Sequence, residues 1–193
     1  MGRALMTRVG LLVAAAGLLL AATGCTSLQG TGDKGFVTGG GAVKQIAPAD
    51  RGEPVTLEGS DLDGKPLSLA TSRSKPTVVN VWGSWCTSCR AEAPFLVAAQ
   101  KQLGDTARFV GIDVRDPGTS QAKAYEAHFG TTWPSYYSPS GKALLAFRGV
   151  LTPNTIPATL VLDARGRVAA SVIGEVPSAL TLVQLVQDAG SDG

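Results

Sequence analysis

Histidine and cysteine are scarce in this sequence, which has one histidine and three cysteines among 193 residues. A structural zinc site needs four such ligands, so no metal and no other bound cofactor is expected. Neither sign of charge is in large excess. The 17 basic and 15 acidic residues leave a net charge of +2, without the basic surface that nucleic acids require. No apolar run reaches the roughly 20 residues of a membrane-spanning helix. A length of 193 residues suits one domain with additional terminal segments.

The N-terminal segment has the pattern of a secretory signal. Residues 1–8 carry two arginines and no acid, residues 9–22 are apolar, and small residues precede Cys25. We predict a signal peptide over residues 1–24. A cysteine at this point resembles the bacterial lipobox, although Ala22 stands where leucine is usual. The resemblance implies that Cys25 is lipidated and becomes the new N-terminus. Otherwise the signal is cleaved differently or retained, and Cys25 is a spare thiol.

The segment after Cys25 differs in composition from the rest of the chain. It is rich in glycine, threonine and serine and shows no hydrophobic periodicity. This composition is typical of a flexible linker, so residues 25–45 are predicted to be a lipidated N-terminus and tether. Residues 46–190 are predicted to be the folded domain.

The domain is organised around one stretch of sequence. Residues 77–82 form an apolar, β-branched run that predicts a buried strand, and good helix formers follow over residues 90–103. Cys86 and Cys89 lie between the two elements. A strand therefore delivers Cys86 to a helix start, where unpaired N–H groups and the helix dipole favour a thiolate. The spacing lets Cys89 lie beneath Cys86 and close a small disulfide.

Further periodic segments surround this stretch. They predict a β-hairpin over residues 54–70, a strand over 108–114, a helix from Thr119 or Ser120 to Phe129, a short helix over 142–147, a second hairpin over 158–172 and a final helix to about Ala189. The element order predicts an α/β fold with a central mixed β-sheet flanked by helices.

The cysteine motif carries a resemblance to a known family. Trp85-Cys86-x-x-Cys89 after an apolar strand, with Pro94 five residues beyond the second cysteine, resembles the thioredoxin superfamily. The longer match over residues 79–94 is similar to its TlpA/ResA branch of membrane-anchored, extracytoplasmic thiol–disulfide oxidoreductases. The resemblance implies a thioredoxin-like fold with an N-terminal β-hairpin extension.

The resemblance also implies roles for individual residues. Cys86 would be the exposed nucleophile that attacks a substrate disulfide, and the deeper Cys89 would resolve the mixed disulfide. Asn80 stands where thioredoxins have a buried aspartate that accepts a proton. In the TlpA/ResA branch a glutamate three residues after the second cysteine takes that role, so Glu92 is expected to be partly buried with a raised pKa. The alternative is a surface Glu92. Trp85 is expected to contact partners.

A second motif is Ile156-Pro157, which directly precedes a predicted strand. In thioredoxin-like folds a cis proline at this point faces the cysteine pair, so the resemblance implies a cis bond here. The backbone N–H and C=O of Ile156 would then pair with a bound peptide. The alternative is an ordinary trans proline.

The function implied by the resemblance is reduction of protein disulfides outside the cytoplasm by a monomer anchored to the membrane through its lipid. Apocytochrome c is a frequent substrate in this branch, and electrons usually arrive from a membrane transporter of the CcdA/DsbD type. An enzyme that oxidises secreted proteins is the main alternative.

Two other functions fit the residues less well. A Sco-type copper chaperone needs cysteines separated by three residues and a distal histidine, whereas here the spacer is two and His128 lies in another segment. A peroxiredoxin-type peroxidase needs threonine three residues before its cysteine, and Gly83 stands there.

Overall fold

The structure is a computed structural model that describes residues 36–37, 42–70 and 74–191. The predicted signal peptide over residues 1–24 and the predicted lipidation site Cys25 lie outside the described residues. In the described part of the chain, no helix is both long enough and apolar enough to cross a membrane.

Nine strands and three α-helices make up the described domain. The strands are β1 (Phe36–Val37), β2 (Ala42–Gln45), β3 (Glu58–Ser60), β4 (Pro66–Ser68), β5 (Thr77–Trp82), β6 (Arg108–Asp113), β7 (Ser135–Tyr137), β8 (Ala158–Leu162) and β9 (Val168–Ile173). The helices are α1 (Thr87–Leu103), α2 (Thr119–Phe129) and α3 (Ala179–Ser191), with additional 3-10 helices at Pro48–Asp50, Gly104–Thr106 and Lys142–Phe147.

The central sheet has seven strands in the order β1-β2-β9-β8-β5-β6-β7. Strand β5 lies parallel to β6 on one side and antiparallel to β8 on the other. The predicted mixed sheet is therefore confirmed. In register, Trp82 at the end of β5 lies beside Asp113 of β6, and the cysteine turn follows directly. The parallel pair thus places the residues after β5 and β6 at the same edge of the sheet.

The two faces of the sheet are covered differently. On one face, Val78 packs with apolar residues of α1 and α3, and Trp82 packs with Cys89 of α1 and Ala122 of α2. On the other face, Val79 packs in a cluster with residues of the Lys142–Phe147 3-10 helix and of the segments that flank the β3–β4 hairpin. All six residues of β5 are buried, because the strand is covered from both sides.

The tether prediction is wrong in its C-terminal part. Residues 36–37 form β1, and residues 42–45 form β2, which pairs antiparallel with Ala170–Ile173 of β9. The domain therefore begins before residue 46. Strand β2 is mostly exposed, and only Val43 packs against the core, so it has no apolar alternation for a sequence pattern to show. It forms because it covers the backbone edge of β9.

The remaining elements agree with the predicted ones in type and differ at their ends. The first hairpin is shorter than predicted, since only residues 58–60 and 66–68 pair. Helix α2 begins at Thr119, but its N-cap is Gly118, and neither predicted capping side chain makes a cap hydrogen bond. Helix α1 continues through Pro94 for 17 residues.

Candidate active site

Cys86 and Cys89 form a disulfide at the N-terminus of α1. The S–S distance is 2.05 Å, and the two Cα atoms are 5.2 Å apart. Cys86 is the N-cap residue of the helix, and its Sγ accepts a hydrogen bond from the Cys89 N–H at 3.1 Å. The structure therefore shows the oxidised state, with the Cys86 sulfur placed on the helix N–H groups as the sequence predicts.

The predicted exposure of Cys86 is wrong for this state. Cys86 is only 6% exposed and Cys89 is fully buried, so the predicted order of depth is kept but the first sulfur is largely covered. The disulfide belongs to an apolar cluster with the nearby Trp82, and Ile156, from a distant loop, packs against that cluster. No local pattern around the cysteines indicates the contribution of Ile156.

Trp85 lies at the surface beside the disulfide and is 48% exposed, as expected for a residue that contacts partners. Its indole Nε1 donates to the Val114 carbonyl oxygen at 3.1 Å. The preceding residue, Ser84, donates from its backbone N–H and its hydroxyl to the Asp116 carboxylate at 2.9 and 2.6 Å. The turn before Cys86 is thus held by the segment that follows β6.

Ile156 and Pro157 are joined by a cis peptide bond, which confirms that prediction. Ile156 packs against the cluster that contains the disulfide, so the structure brings the two predicted motifs together. The Ile156 N–H, however, donates to the Asn154 carbonyl oxygen at 3.1 Å. This N–H is used within its own loop, and its pairing with a bound peptide stays a prediction.

Glu92 is buried on α1, one helical turn after Cys89, and is 1% exposed. Its carboxylate accepts from Asn80 Nδ2 at 2.8 Å and from the Val176 N–H at 2.9 Å. Burial raises the pKa of Glu92 to about 7, although both hydrogen bonds oppose the rise. The expected buried glutamate with a raised pKa is confirmed, and the surface alternative is wrong. A carboxyl with this pKa is partly ionised at neutral pH.

Tyr125 of α2 belongs to the site but is not predicted by the sequence analysis. Its hydroxyl donates to the Cys89 carbonyl oxygen at 2.7 Å, and its ring stacks on Trp82 with centroids 4.3 Å apart. Arg90 lies over the same ring at 5.9 Å from the centroid. Helix α2 shows no motif at Tyr125, and only its helical spacing from the buried Ala122 marks it as facing inward.

Asp113 and Asp116 form a buried carboxyl pair at the end of β6. Asp113 is fully buried, and among the described residues no N–H or O–H donor reaches either of its carboxyl oxygens. Burial and the neighbouring Asp116 carboxyl raise the pKa of Asp113 to about 8. A pKa above 7 favours the protonated form of Asp113 at neutral pH. The sequence could have indicated this pair, because Asp113 and Asp116 lie at the end of a predicted parallel strand, and residues that follow parallel strands meet at one edge of the sheet.

Comparison with known proteins agrees with this architecture. The model of the AhpC/TSA family matches residues 48–171. The thiol-disulfide oxidoreductase ResA of Geobacillus thermodenitrificans is 30% identical over 119 residues, 60% of this chain and 64% of that protein. The thiol:disulfide interchange protein HelX of Rhodobacter capsulatus is 30% identical over 129 residues, 66% of each chain. The match thus spans just under two thirds of these curated relatives.

A solved structure extends the similarity over more of the chain. The crystal structure of a DsbF homologue from Corynebacterium diphtheriae has a TM-score of 0.71 and 32% sequence identity, and the match covers 81% of this chain and 99% of that one. The thioredoxin-like fold and the resemblance inferred from the Trp85–Pro94 motif are confirmed. Because the family model covers well over half of the sequence, this chain belongs to the AhpC/TSA family, and its fold is thioredoxin-like.

Proposed function

We propose that this chain is an extracytoplasmic thiol–disulfide oxidoreductase that reduces protein disulfides through Cys86 and Cys89. The observation that carries the proposal is the disulfide between these residues at the N-terminus of α1. The names of the relatives support it, since ResA is described as a thiol-disulfide oxidoreductase and HelX as a thiol:disulfide interchange protein.

The proposed reaction transfers two electrons from the dithiol to the substrate. In the reduced protein, the Cys86 thiolate attacks one sulfur of the substrate disulfide and forms a mixed disulfide. The other substrate sulfur leaves as a thiolate and takes a proton from water. The Cys89 thiolate then attacks Cys86 Sγ, expels the second substrate sulfur as a thiolate that takes a proton from water, and closes the disulfide that the structure shows. A thiol donor must reduce this disulfide before the next cycle.

Glu92 is the proposed acceptor of the proton that Cys89 loses before it attacks. It lies three residues after Cys89 on α1 and is buried with a pKa of about 7. A base is most effective when its pKa lies near the working pH, because it is then ionised often enough and still binds a proton well. Asn80 and the Val176 N–H fix the carboxylate by their hydrogen bonds.

The partners are proposed from the resemblance and from the N-terminal pattern. A membrane transporter of the CcdA/DsbD type would supply electrons, and apocytochrome c would be one substrate. Lipidation at Cys25 would hold the monomer at the outer face of the bacterial cytoplasmic membrane. Trp85 and the loop that contains Ile156 and Pro157 would form the surface that binds the substrate.

Trapping the mixed disulfide tests the proposed order of attack. Cys89→Ser should form a stable adduct between Cys86 and a synthetic peptide with an oxidised Cys-x-x-Cys motif, measured as a mass increase under non-reducing conditions. Cys86→Ser, the matched control, should form none, because Cys89 is fully buried. An adduct on Cys89 in the control, or none on Cys86, would overturn the assignment of the nucleophile.

The direction of the reaction is tested by the redox potential. A reductase should equilibrate with glutathione buffers at a strongly reducing potential, close to the roughly −270 mV of thioredoxin. A potential near about −120 mV, as for strong oxidants, would instead favour the alternative function, oxidation of secreted proteins.

A further inference from the structure

The segment Val114–Asp116, directly after β6, holds the turn that carries Trp85. The Val114 carbonyl oxygen accepts from the indole of Trp85, and the Asp116 carboxylate accepts two hydrogen bonds from Ser84. The residue between them, Arg115, has an exposed side chain that none of these bonds explains. The side chain of Arg115 can therefore contact both the turn that carries Trp85 and the neighbouring loops.

Arg115 has an unusual backbone conformation for its residue type. Its φ is 62°, and it is the one non-glycine residue with positive φ in the part of the chain that the structure describes. This conformation costs free energy for a residue with a Cβ atom. Glycine or asparagine would adopt it more easily.

The guanidinium group of Arg115 joins two separate parts of the proposed substrate surface. Its Nη2 donates to the Pro153 carbonyl oxygen and, at 2.9 Å, to Asn154 Oδ1. Its Cζ lies 5.7 Å from the centroid of the Trp85 ring, in a cation–π contact. One guanidinium group thus donates to the loop before the cis proline and lies over the ring of the exposed tryptophan.

The loop over residues 152–155 has few other ties. Its remaining hydrogen bonds stay local, between Thr152 and Thr155 and from Ile156 to Asn154. Among the described residues, Arg115 alone supplies hydrogen bonds to residues 152–155 from a distant part of the sequence. The position of this loop relative to Trp85 therefore depends on the Arg115 side chain.

We propose that Arg115 is a positioning residue for protein substrates, which fixes the separation between Trp85 and the loop of residues 152–156. The proposal rests on the proposed function, because it assumes that a substrate polypeptide contacts both surfaces while Cys86 attacks its disulfide. A small disulfide needs only the sulfur of Cys86. Loss of Arg115 should thus weaken binding of a protein substrate and leave the chemistry at the sulfur unchanged.

The test compares a protein disulfide with a small neutral one, using the full chain. Insulin and bis(2-hydroxyethyl) disulfide serve as substrates, with dithiothreitol as the electron donor. Arg115→Asn removes the guanidinium but tolerates the positive φ, so the fold should persist. Arg115→Lys keeps the charge but lacks the planar fork. Arg165→Ala, in the exposed turn between β8 and β9, is the matched control.

In both Arg115 variants, the KM for insulin should rise about tenfold, equal to about 1.4 kcal/mol. The kcat for insulin, the rate with the small disulfide and the glutathione equilibrium should stay as in the wild type, and Arg165→Ala should change nothing. An unchanged KM in Arg115→Asn, equal losses on both substrates, or full recovery in Arg115→Lys would each overturn the proposal. If the wild type reduces neither disulfide, the proposed function fails first, and this inference falls with it.

Discussion

Replacing Glu92 by glutamine should change how the stability of the oxidised protein depends on pH. Burial raises the pKa of Glu92 from 4.5 to about 7. Between these two values the folded chain binds a proton that the unfolded chain has lost, so the free energy of unfolding falls as pH rises. Below pH 4.5 both states are protonated and Glu92 costs nothing. Above about pH 7 both states are ionised and the full cost of a buried carboxylate is present.

The size of the effect follows from the two pKa values. Their difference is roughly 2.5 pH units, and at 1.36 kcal/mol per unit the cost is about 3 kcal/mol above pH 7. Glutamine has the same shape and no ionisation, so it avoids this cost. It cannot accept from both Asn80 and the Val176 N–H, and the lost hydrogen bond costs about 1–3 kcal/mol at every pH. Glu92→Gln should be the less stable protein at pH 4 and about as stable as the wild type, or more so, at pH 8.

Guanidinium unfolding of the oxidised proteins at pH 4, 6 and 8 measures this change directly. Glu53→Gln, at an exposed position in the segment before β3, provides the matched control and should leave the pH profile of the wild type unchanged. The stability difference between Glu92→Gln and the wild type should move by about 3 kcal/mol across this range. Parallel profiles for the two proteins would refute the argument, because Glu92 would then titrate alike in the folded and unfolded chains.

Two further predictions concern the framework around the site. Burial alone would raise the pKa of Asp163, but hydrogen bonds from Arg167 and Arg51 hold it below its usual value, so the stability it contributes at neutral pH is lost as pH falls through that lowered pKa. Asp163→Asn should lower the free energy of unfolding at pH 7 by about 3 kcal/mol. Urea unfolding should show a smaller difference in stability between this variant and the wild type in acid. A difference that does not depend on pH would contradict this prediction. Gly111→Ala should lower Tm in calorimetry, because its Cβ would lie 2.2 Å from Ser135 Oγ and overpacking costs about 1–3 kcal/mol; an unchanged Tm would show that Ser135 moves aside freely.

The parts of the site that lie within one element were predictable from the sequence. Cys86, Cys89 and Glu92 all lie in the first two turns of α1, where spacing alone fixes which side chains share a face. The strand that precedes them was also predictable, because a mostly apolar run of six residues is stable only when it is buried inside the domain. The prediction of a cis bond at Pro157 rested instead on the family resemblance.

What the sequence did not show depends on contacts between distant segments. Ile156, which lies 70 residues from Cys86, packs against the apolar cluster that contains Cys86, and the exposure of Cys86 was predicted wrongly. Strand β2 has a single half-buried apolar residue, and its formation is decided by the open edge of β9. The hydrogen bonds from Arg115 to Asn154 and from Tyr125 to Cys89 join segments that are distant in sequence. Such pairings leave no periodic signal in either partner segment.

Gly83 links the chemistry of this chain to its local packing. A peroxiredoxin-type site needs threonine three residues before its cysteine, and Gly83 occupies that position here. A Cβ atom at residue 83 would lie 2.6 Å from Trp85 Nε1 and 2.9 Å from the Val114 carbonyl oxygen, the two atoms that are hydrogen-bonded to each other. Any larger residue would therefore separate Trp85 from its anchor. In this chain an anchored Trp85 beside the cysteine pair requires glycine at residue 83, so the same turn cannot also carry the threonine of a peroxidase.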